Sequence, residues 1–528
     1  MNFTEKFVLH NKKIFKKKNA GKKIFLIEFN GWQAIHIIFS YLVNYFKNEK
    51  KCKIIAYECY DILNRLDPPW YNKYIWKLGI FLNIKTFRIF KSFGTDKFIK
   101  PEYDKDEERK AVQIVENFYE KKPNLLKLEN FRIGKIWIGD LIYDSYLKKN
   151  YSVTVDLNSN KFKKFFVESI KLFLFWKNFF EKNEVSGIGV CHSVYLTGIP
   201  LRIAQSKKID CFAMTSFNCD LVNLVNSISF KKRLNGIDIH YKHFRNIFNN
   251  FSKKKRILNL KQGKKILDDY ISGKKRLFYL KNKTFSLNKA KMIKKKNLKT
   301  KVVIFAHDFV DSPHVYGNHF FPDFKVWFNF LDIIIKKTDY EWYIKFHPGA
   351  NGVTKEEILK LKERNHKLKI LRKDFPNNNL HKLGIKFGLT VFGTIASELA
   401  PYDIRVINAS KNNPHYNFSF SINPKNLKEY EKLLLNLNKI KRKFNYDKNE
   451  LYMYHFIKEL VFQKHLVFKN TQKYFEFKEK KPLRFTPKIY DYWLKDFNLK
   501  THQEIIDNTK VFIESKRYLT LNQNIDTF

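Results

Sequence analysis

Arginine is scarce: only 15 of the 101 basic residues are arginine, although Lys+Arg outnumber Asp+Glu by 101 to 51 and leave a formal charge of +50. Proteins that read bases depend heavily on arginine, so a nucleic-acid partner is not expected. The lysine excess fits a solvated surface, or a face turned to an anionic membrane or anionic substrate. Cysteine is also sparse. Cys52, Cys59, Cys191, Cys211 and Cys219 are odd in number and fit no CxxC spacing, which speaks against a thiolate metal site and for buried thiols in a reducing cytosol. Long apolar runs are missing as well: Ile170 to Trp176 and Leu78 to Ile84 are broken by lysine or asparagine, far short of the roughly 20 residues a spanning helix needs. The first twenty residues are polar and lysine-studded, so no secretion signal is expected. These absences leave a cytoplasmic protein, free or peripheral at the inner membrane face.

What is present is α/β alternation. A chain of 528 residues exceeds one ordinary core. Residues 22–28 form a strand-like run, followed by a turn at Phe29-Asn30-Gly31, an amphipathic segment from Gln33 to Phe46 and a second strand over Cys52 to Tyr57, a βαβ opening. Helical patterns near 105–120 and 161–182 flank FRIGKIWIGDLIYDSYL, after which Val185 to Cys191 ends in His192-Ser193. Residues 231–300 are rich in lysine and asparagine with little strand signal. From Lys301 the pattern becomes regular: strands over 302–306, 341–346, 368–371, 386–392 and 405–408, with helices between most of them, require a parallel sheet. The expected organisation is an N-terminal Rossmann-like domain (1–230), a lysine-rich helical or linker region (231–300), a second Rossmann-like domain (301–425) and a helical, aromatic C-terminal extension (426–528).

The chemistry-bearing residues fall at strand ends, where open α/β sheets bind ligands. AHDFVDSPH supplies His307, Asp308, Asp311 and His314. YIKFHPGANG supplies Lys345 and then His347, left beside a proline that cannot extend a ladder. FGTIASE supplies Gly393, whose lack of a side chain lets backbone approach a ligand, Thr394 as a helix cap, Ser397, and Glu398 one turn in, able to accept hydrogen bonds from sugar hydroxyls. Together they outline a nucleotide mono- or diphosphate site. Singly, each also fits an ordinary surface histidine, a helix cap or a turn aspartate. The close spacing of His307, Asp311 and His314 on one loop matches no standard metal pattern, so no metal is expected.

The ordered set AHDFVDSPH, FFPDFKVWFNFL, WYIKFHP and GLTVFGTIASELAPYDIRVINA, with IWIGDLIYDSYL and GVCHSVYLTGIPLRIA upstream, resembles bacterial capsule and surface polysaccharide glycosyltransferases of the GT-B type. The likeness spans residues 130–215 and 300–410. It implies two Rossmann-like domains facing across a cleft, with a sugar nucleotide held mainly by the second. The His-Pro pair followed by a Ser/Thr motif is also similar to the CMP-binding elements of sialyl- and Kdo-transferases. That comparison gives His347 to the nucleotide phosphate and Thr394 and Ser397 to the rest of the phosphate pocket. Tyr402-Asp403 departs from the glycine common in this group before its next strand, and residues 231–300 have no counterpart.

The expected activity is metal-independent transfer of a sugar from a CMP- or UDP-linked donor to a surface polysaccharide or lipid-linked glycan, with no cofactor beyond the donor. The leaving phosphate gains charge that helix-terminal amides, His347 and Lys345 would stabilise. A base across the cleft must deprotonate the acceptor, and His192 and Asp144 are the candidates. Two alternatives stay open: a teichoic-acid-type transferase moving a polyol phosphate from a CDP-polyol, and a non-enzymatic basic scaffold binding membranes or nucleic acid.

Overall fold

The computed structural model describes residues 1–15, 21–58, 72–214, 221–224, 240–274, 285, 299–440, 444–463, 466–468, 477–478 and 481–518. Cys59, Cys219, Trp70 and Tyr71 lie outside these residues.

The N-terminal sheet contains β1 (Ile24–Phe29), β2 (Lys53–Glu58) and β3 (Lys97–Ile99). A short hairpin follows, β4 (Arg132–Ile133) and β5 (Ile136–Trp137), and then the sheet resumes with β6 (Val185–Val190), β7 (Asp210–Met214) and β8 (Leu221–Asn223). Its order is β3-β2-β1-β6-β7-β8, parallel except for β8 against β7. Strand side chains alternate between faces, and both faces are covered. Phe25 and Ile27 join a core with the helix Gln33–Asn48, whereas Ile24 and Leu26 join one built from the helices Gly139–Asn150 and Asn160–Lys182. That explains why β1 reads as a continuous apolar run.

The second sheet is fully parallel. Its strands β9 (Lys301–Phe305), β10 (Glu341–Lys345), β11 (Leu368–Leu371), β12 (Phe387–Thr390) and β13 (Arg405–Asn408) stand in the order β11-β10-β9-β12-β13. In β9, Val302 and Ile304 face a core with Trp327 and Leu331 of the helix Phe324–Lys337, and Val303 faces Ala396 and Leu399 on the other side. The chain thus contains two doubly wound, Rossmann-like α/β units.

The described helices of the C-terminal hundred residues divide between the two units. The helix Lys448–Gln463 packs on Lys253–Ile271, within the lysine-rich region. Gly263 is required at this crossing, because a Cβ there would lie 2.1 Å from the Tyr452 carbonyl oxygen. The helices Lys488–Lys495 and Leu499–Glu514 return to the N-terminal unit. There Tyr490 stacks on Phe7 with ring centroids 4.3 Å apart, and Tyr41 meets His502 Nδ1 at 3.0 Å. Cys52, Cys191 and Cys211 are buried free thiols. Among the described residues no helix is long and apolar enough to cross a membrane.

Candidate functional site

Hydrogen bonds lace together the loops that follow β9, β10 and β12. His307, one residue past β9's last neighbour Ala306, is buried. Its Nε2 accepts the Val391 N–H at 3.1 Å and lies 2.9 Å from Thr390 Oγ1, which in turn accepts the Gly393 N–H at 3.1 Å. An imidazole nitrogen that accepts from an amide carries no proton, so the ring is neutral, and burial with His347 nearby lowers its pKa to about 3. The structure therefore makes His307 a brace between loops, stacked on Phe324, instead of a substrate contact. Gly393 is needed for that brace: a Cβ would lie 2.8 Å from Thr390 Oγ1. Gly393→Ala is expected to displace this hydroxyl and destabilise the protein by about 1–3 kcal/mol, seen as a lower thermal unfolding midpoint.

Asp308 joins the first loop to the second. Its Oδ1 accepts from Asn351 Nδ2 at 2.8 Å, Thr354 Oγ1 at 3.3 Å and the Val310 N–H at 3.3 Å. Asn351 also caps the helix Gly352–Arg364. His347 stands on the intervening loop, exposed, with its Nδ1 accepting the Gly349 N–H at 3.1 Å. That bond fixes the proton on Nε2, the nitrogen left to donate to a ligand. Loss of water among the surrounding loops lowers the His347 pKa, with Asp308 and Asp311 opposing the shift.

The third loop differs from the sequence expectation. The helix Ile395–Leu399 has five residues, and Thr394 makes no side-chain capping bond to it. Ser397 is fully buried, its hydroxyl donating to the Thr394 carbonyl at 3.1 Å, so it is already committed within the fold. Glu398 is only 4% exposed, out of reach of a sugar hydroxyl at the surface. Burial raises its carboxyl to about 7, while Lys458, Tyr270, Lys345 and Thr394 pull it back. Lys345 is equally enclosed, at 5% exposure, and burial lowers its pKa against the pull of Glu398 and Asp374. Lys458 comes from the helix Lys448–Gln463. Nothing in its surrounding sequence signals that it belongs beside FGTIASE.

On the N-terminal side, the Cys191 N–H donates to Glu28 Oε2 at 2.7 Å, tying the ends of β6 and β1. His192 follows, half-buried, its Nδ1 2.8 Å from Cys191 Sγ and its ring edge-on to Trp32. Asp144 is in a different position from the one expected of a base. It is fully buried, with Oδ1 2.5 Å from His314 Nδ1 and Oδ2 accepting the His314 N–H at 3.1 Å. His314 Nε2 faces the Pro322 carbonyl at 2.6 Å. Both ring nitrogens thus meet acceptors and both carry protons; burial opposes this charge, but Asp144 carries the His314 pKa to about 10. A carboxylate locked in this pair cannot take a proton from a solvent-borne acceptor, which leaves His192 of the two candidates.

The same junction holds contacts invisible in the sequence. Tyr143 and Thr154 donate to Asp323 Oδ2 at 2.5 and 2.6 Å. Tyr195 Oη and Lys148 Nζ each reach Asp311 Oδ1 at 3.1 Å. Loss of water raises the Asp311 pKa, yet Lys148 and Tyr195 bring it below the usual carboxylate range. Tyr195 adopts φ 62° and ψ −173°, a region nearly reserved for glycine that costs on the order of 1–3 kcal/mol and tends to occur at functional sites. Tyr195 lies just past β6 and Asp311 just past β9, so the C-terminal strand edges of the two sheets face each other.

No known protein-family profile matches the chain, and no curated protein matches it. Among solved structures, the chain is similar to Thermosulfurimonas dismutans KpsC, a beta Kdo 2,4 transferase, at 13% identity over 52% of this chain and 79% of that one, with a TM-score of 0.31. It is similar to Methanocaldococcus jannaschii UDP-GlcNAc 2-epimerase in complex with UDP-GlcNAc and UDP, at 12% identity, 83% and 99% coverage and a TM-score of 0.24. It is also similar to S. aureus MnaA bound to UDP, at 11% identity, 84% and 95% coverage and a TM-score of 0.28. Likenesses this weak say nothing about activity.

Proposed function

We propose that the chain is a metal-independent glycosyltransferase that moves a sugar from a CMP- or UDP-linked donor to a surface polysaccharide or lipid-linked glycan. The observation that supports this best is the junction of Tyr195 with Asp311, which links the loops past β6 and β9 of the two sheets, with His192 on one loop and His347 on another. In the reaction, an acceptor hydroxyl attacks the anomeric carbon as the bond to the donor phosphate breaks. His347 Nε2–H donates to the leaving phosphate, and His192 takes the acceptor proton. Incubation with CMP- and UDP-linked sugars, followed by NMR of the products, tests the proposal. Release of free nucleotide with formation of a new glycosidic bond is expected. Transfer of a phosphate-bearing unit from a CDP-polyol would overturn it in favour of polyol-phosphate transfer.

Turnover is expected to survive EDTA. Asp311 is engaged by Lys148 and Tyr195, and Asp308 by Asn351 and Thr354. Among the described residues no group of three or more His, Cys, Asp or Glu is placed to hold a metal ion. Loss of activity on chelation, restored by Mg²⁺ or Mn²⁺, would contradict this and make Asp308 and Asp311 ligands.

A further inference from the structure

The first sheet reverses its winding between β1 and β6. These strands are parallel neighbours, but the chain leaves them on opposite faces. The helix Gln33–Asn48, after β1, joins the core with Phe25 and Ile27, whereas Ile199, Leu201 and Ile203 of the helix Ile199–Ser206, after β6, join the core with Ile24 and Leu26. Open α/β sheets bind ligands at such a reversal, outside the carboxyl ends of the two strands. Here that crevice lies between Asn30-Gly31-Trp32 and His192. Gly31 is exposed, with no atom beyond its chain neighbours within 4 Å of where a Cβ would stand, so its backbone is open to a ligand.

The turn Leu483–Phe485 of the C-terminal extension stands beside this crevice. Leu483 is buried in the N-terminal core, and the half-buried Phe485 lies 4.8 Å from the ring of Trp32, which in turn meets the His192 ring at 5.3 Å. The Arg484 guanidinium lies over the Phe485 ring, 4.6 Å from its centre, and steadies it. Hydrogen bonds tie the extension to both loops. Tyr490 Oη donates to His36 Nδ1 at 2.5 Å, and His36 Nε2 donates to the Asn30 carbonyl at 2.6 Å. A carbonyl can only accept, which sets this order, and burial keeps the ring neutral by lowering its pKa to about 4. The Asn30 side chain accepts the Trp32 N–H at 2.8 Å and donates to Glu28 Oε1 at 2.9 Å, and Glu28 Oε2 accepts the Cys191 N–H. One chain of bonds thus runs from Tyr490 to the residue before His192.

We infer that the C-terminal extension completes the acceptor side of the site: Phe485 and Trp32 form an aromatic wall that receives a sugar ring of the acceptor, and Tyr490 holds the Trp32 loop in place through His36. A sugar ring suits this wall because it presents a face of C–H bonds, which settles against aromatic rings, and an edge of hydroxyls, which needs the few polar groups beside them. The His192 ring and the open backbone at Gly31 are those groups. The inference rests on the proposed function, in which His192 takes a proton from a hydroxyl of that sugar, and it adds residues from a segment more than 280 positions away in the chain.

Saturation-transfer difference NMR of the full chain with the methyl glycosides of glucose, galactose, N-acetylglucosamine and glucuronic acid tests it. At least one glycoside is expected to bind the wild type through its ring C–H protons. Phe485→Ala is expected to weaken that binding roughly three- to tenfold, and Phe485→Tyr to keep it, with calorimetric affinity for CMP and UDP unchanged in both variants. Absence of glycoside binding to the wild type would overturn the inference, and so would equal binding by Phe485→Ala. If Phe485→Ala lowers the thermal unfolding midpoint, Phe485→Leu takes its place, since it keeps the apolar bulk and removes the ring, and binding by it at the wild-type level would overturn the inference equally. The nucleotide titration keeps the two readings apart: nucleotide binding without glycoside binding defeats the acceptor wall alone, whereas glycoside binding without nucleotide binding supports the wall and defeats the proposed function.

Discussion

Asp144→Ala is expected to destabilise the protein by about 3–5 kcal/mol, because it leaves a buried imidazolium without its counter-ion. Neither His314 nor Asp144 is accessible to water, so solvent cannot replace the lost partner. The pair also joins the helix Gly139–Asn150 of one unit to the loop after β9 of the other, so the loss should appear in urea unfolding as a weakened junction. The pH dependence has a definite sign. The folded His314 pKa stands at about 10 against an ordinary 6.5, so the stabilisation is fully present below pH 6.5 and is lost as pH rises toward 10. Stability of the wild type should fall across that window, and the fall should vanish in Asp144→Ala. A loss below about 1 kcal/mol, the range of an exposed pair, with an unchanged pH profile would show that the pair is not charged.

His347→Ala should leave the fold intact and weaken nucleotide binding. The ring is exposed, its Nδ1 accepting the Gly349 N–H, and contributes little to a core. Removing one hydrogen bond to a charged phosphate should cost about 1.5–3 kcal/mol, roughly ten- to a hundredfold or somewhat more in Kd. Calorimetric titration with CMP and UDP measures it. An unchanged affinity would remove His347 from the phosphate site.

The sheets were legible in the sequence because each buried strand forms an apolar run broken by turn residues, and the period of β and α elements after Lys301 admits only a parallel arrangement. The strand-end loops were legible for the same reason, since His347 and FGTIASE follow directly from where β10 and β12 stop. Side-chain direction within those loops was not. Ser397 and Glu398 sit in the right motif, yet one hydroxyl is spent on Thr394 and one carboxylate is turned toward Lys345 and Lys458, because all five residues of that short helix are buried. Asp144 stood in a motif that suggested chemistry, but its partner His314 is 170 residues away, and no local pattern reports such a pairing. The strained Tyr195 was equally hidden, since nothing in VYLTG demands a positive φ.

Nucleotide recognition at the facing strand edges underlies everything proposed for the site. Its most direct test is the thermal stability of the wild-type chain with a panel of nucleoside mono- and diphosphates, beside heparin as a general polyanion. A nucleotide at about 100 times its Kd should add about 2.7 kcal/mol of stability, and His347→Ala should lose most of that gain at the same concentration. Stabilisation by heparin alone, abolished by salt and indifferent to CMP and UDP, would contradict nucleotide recognition and identify a basic scaffold.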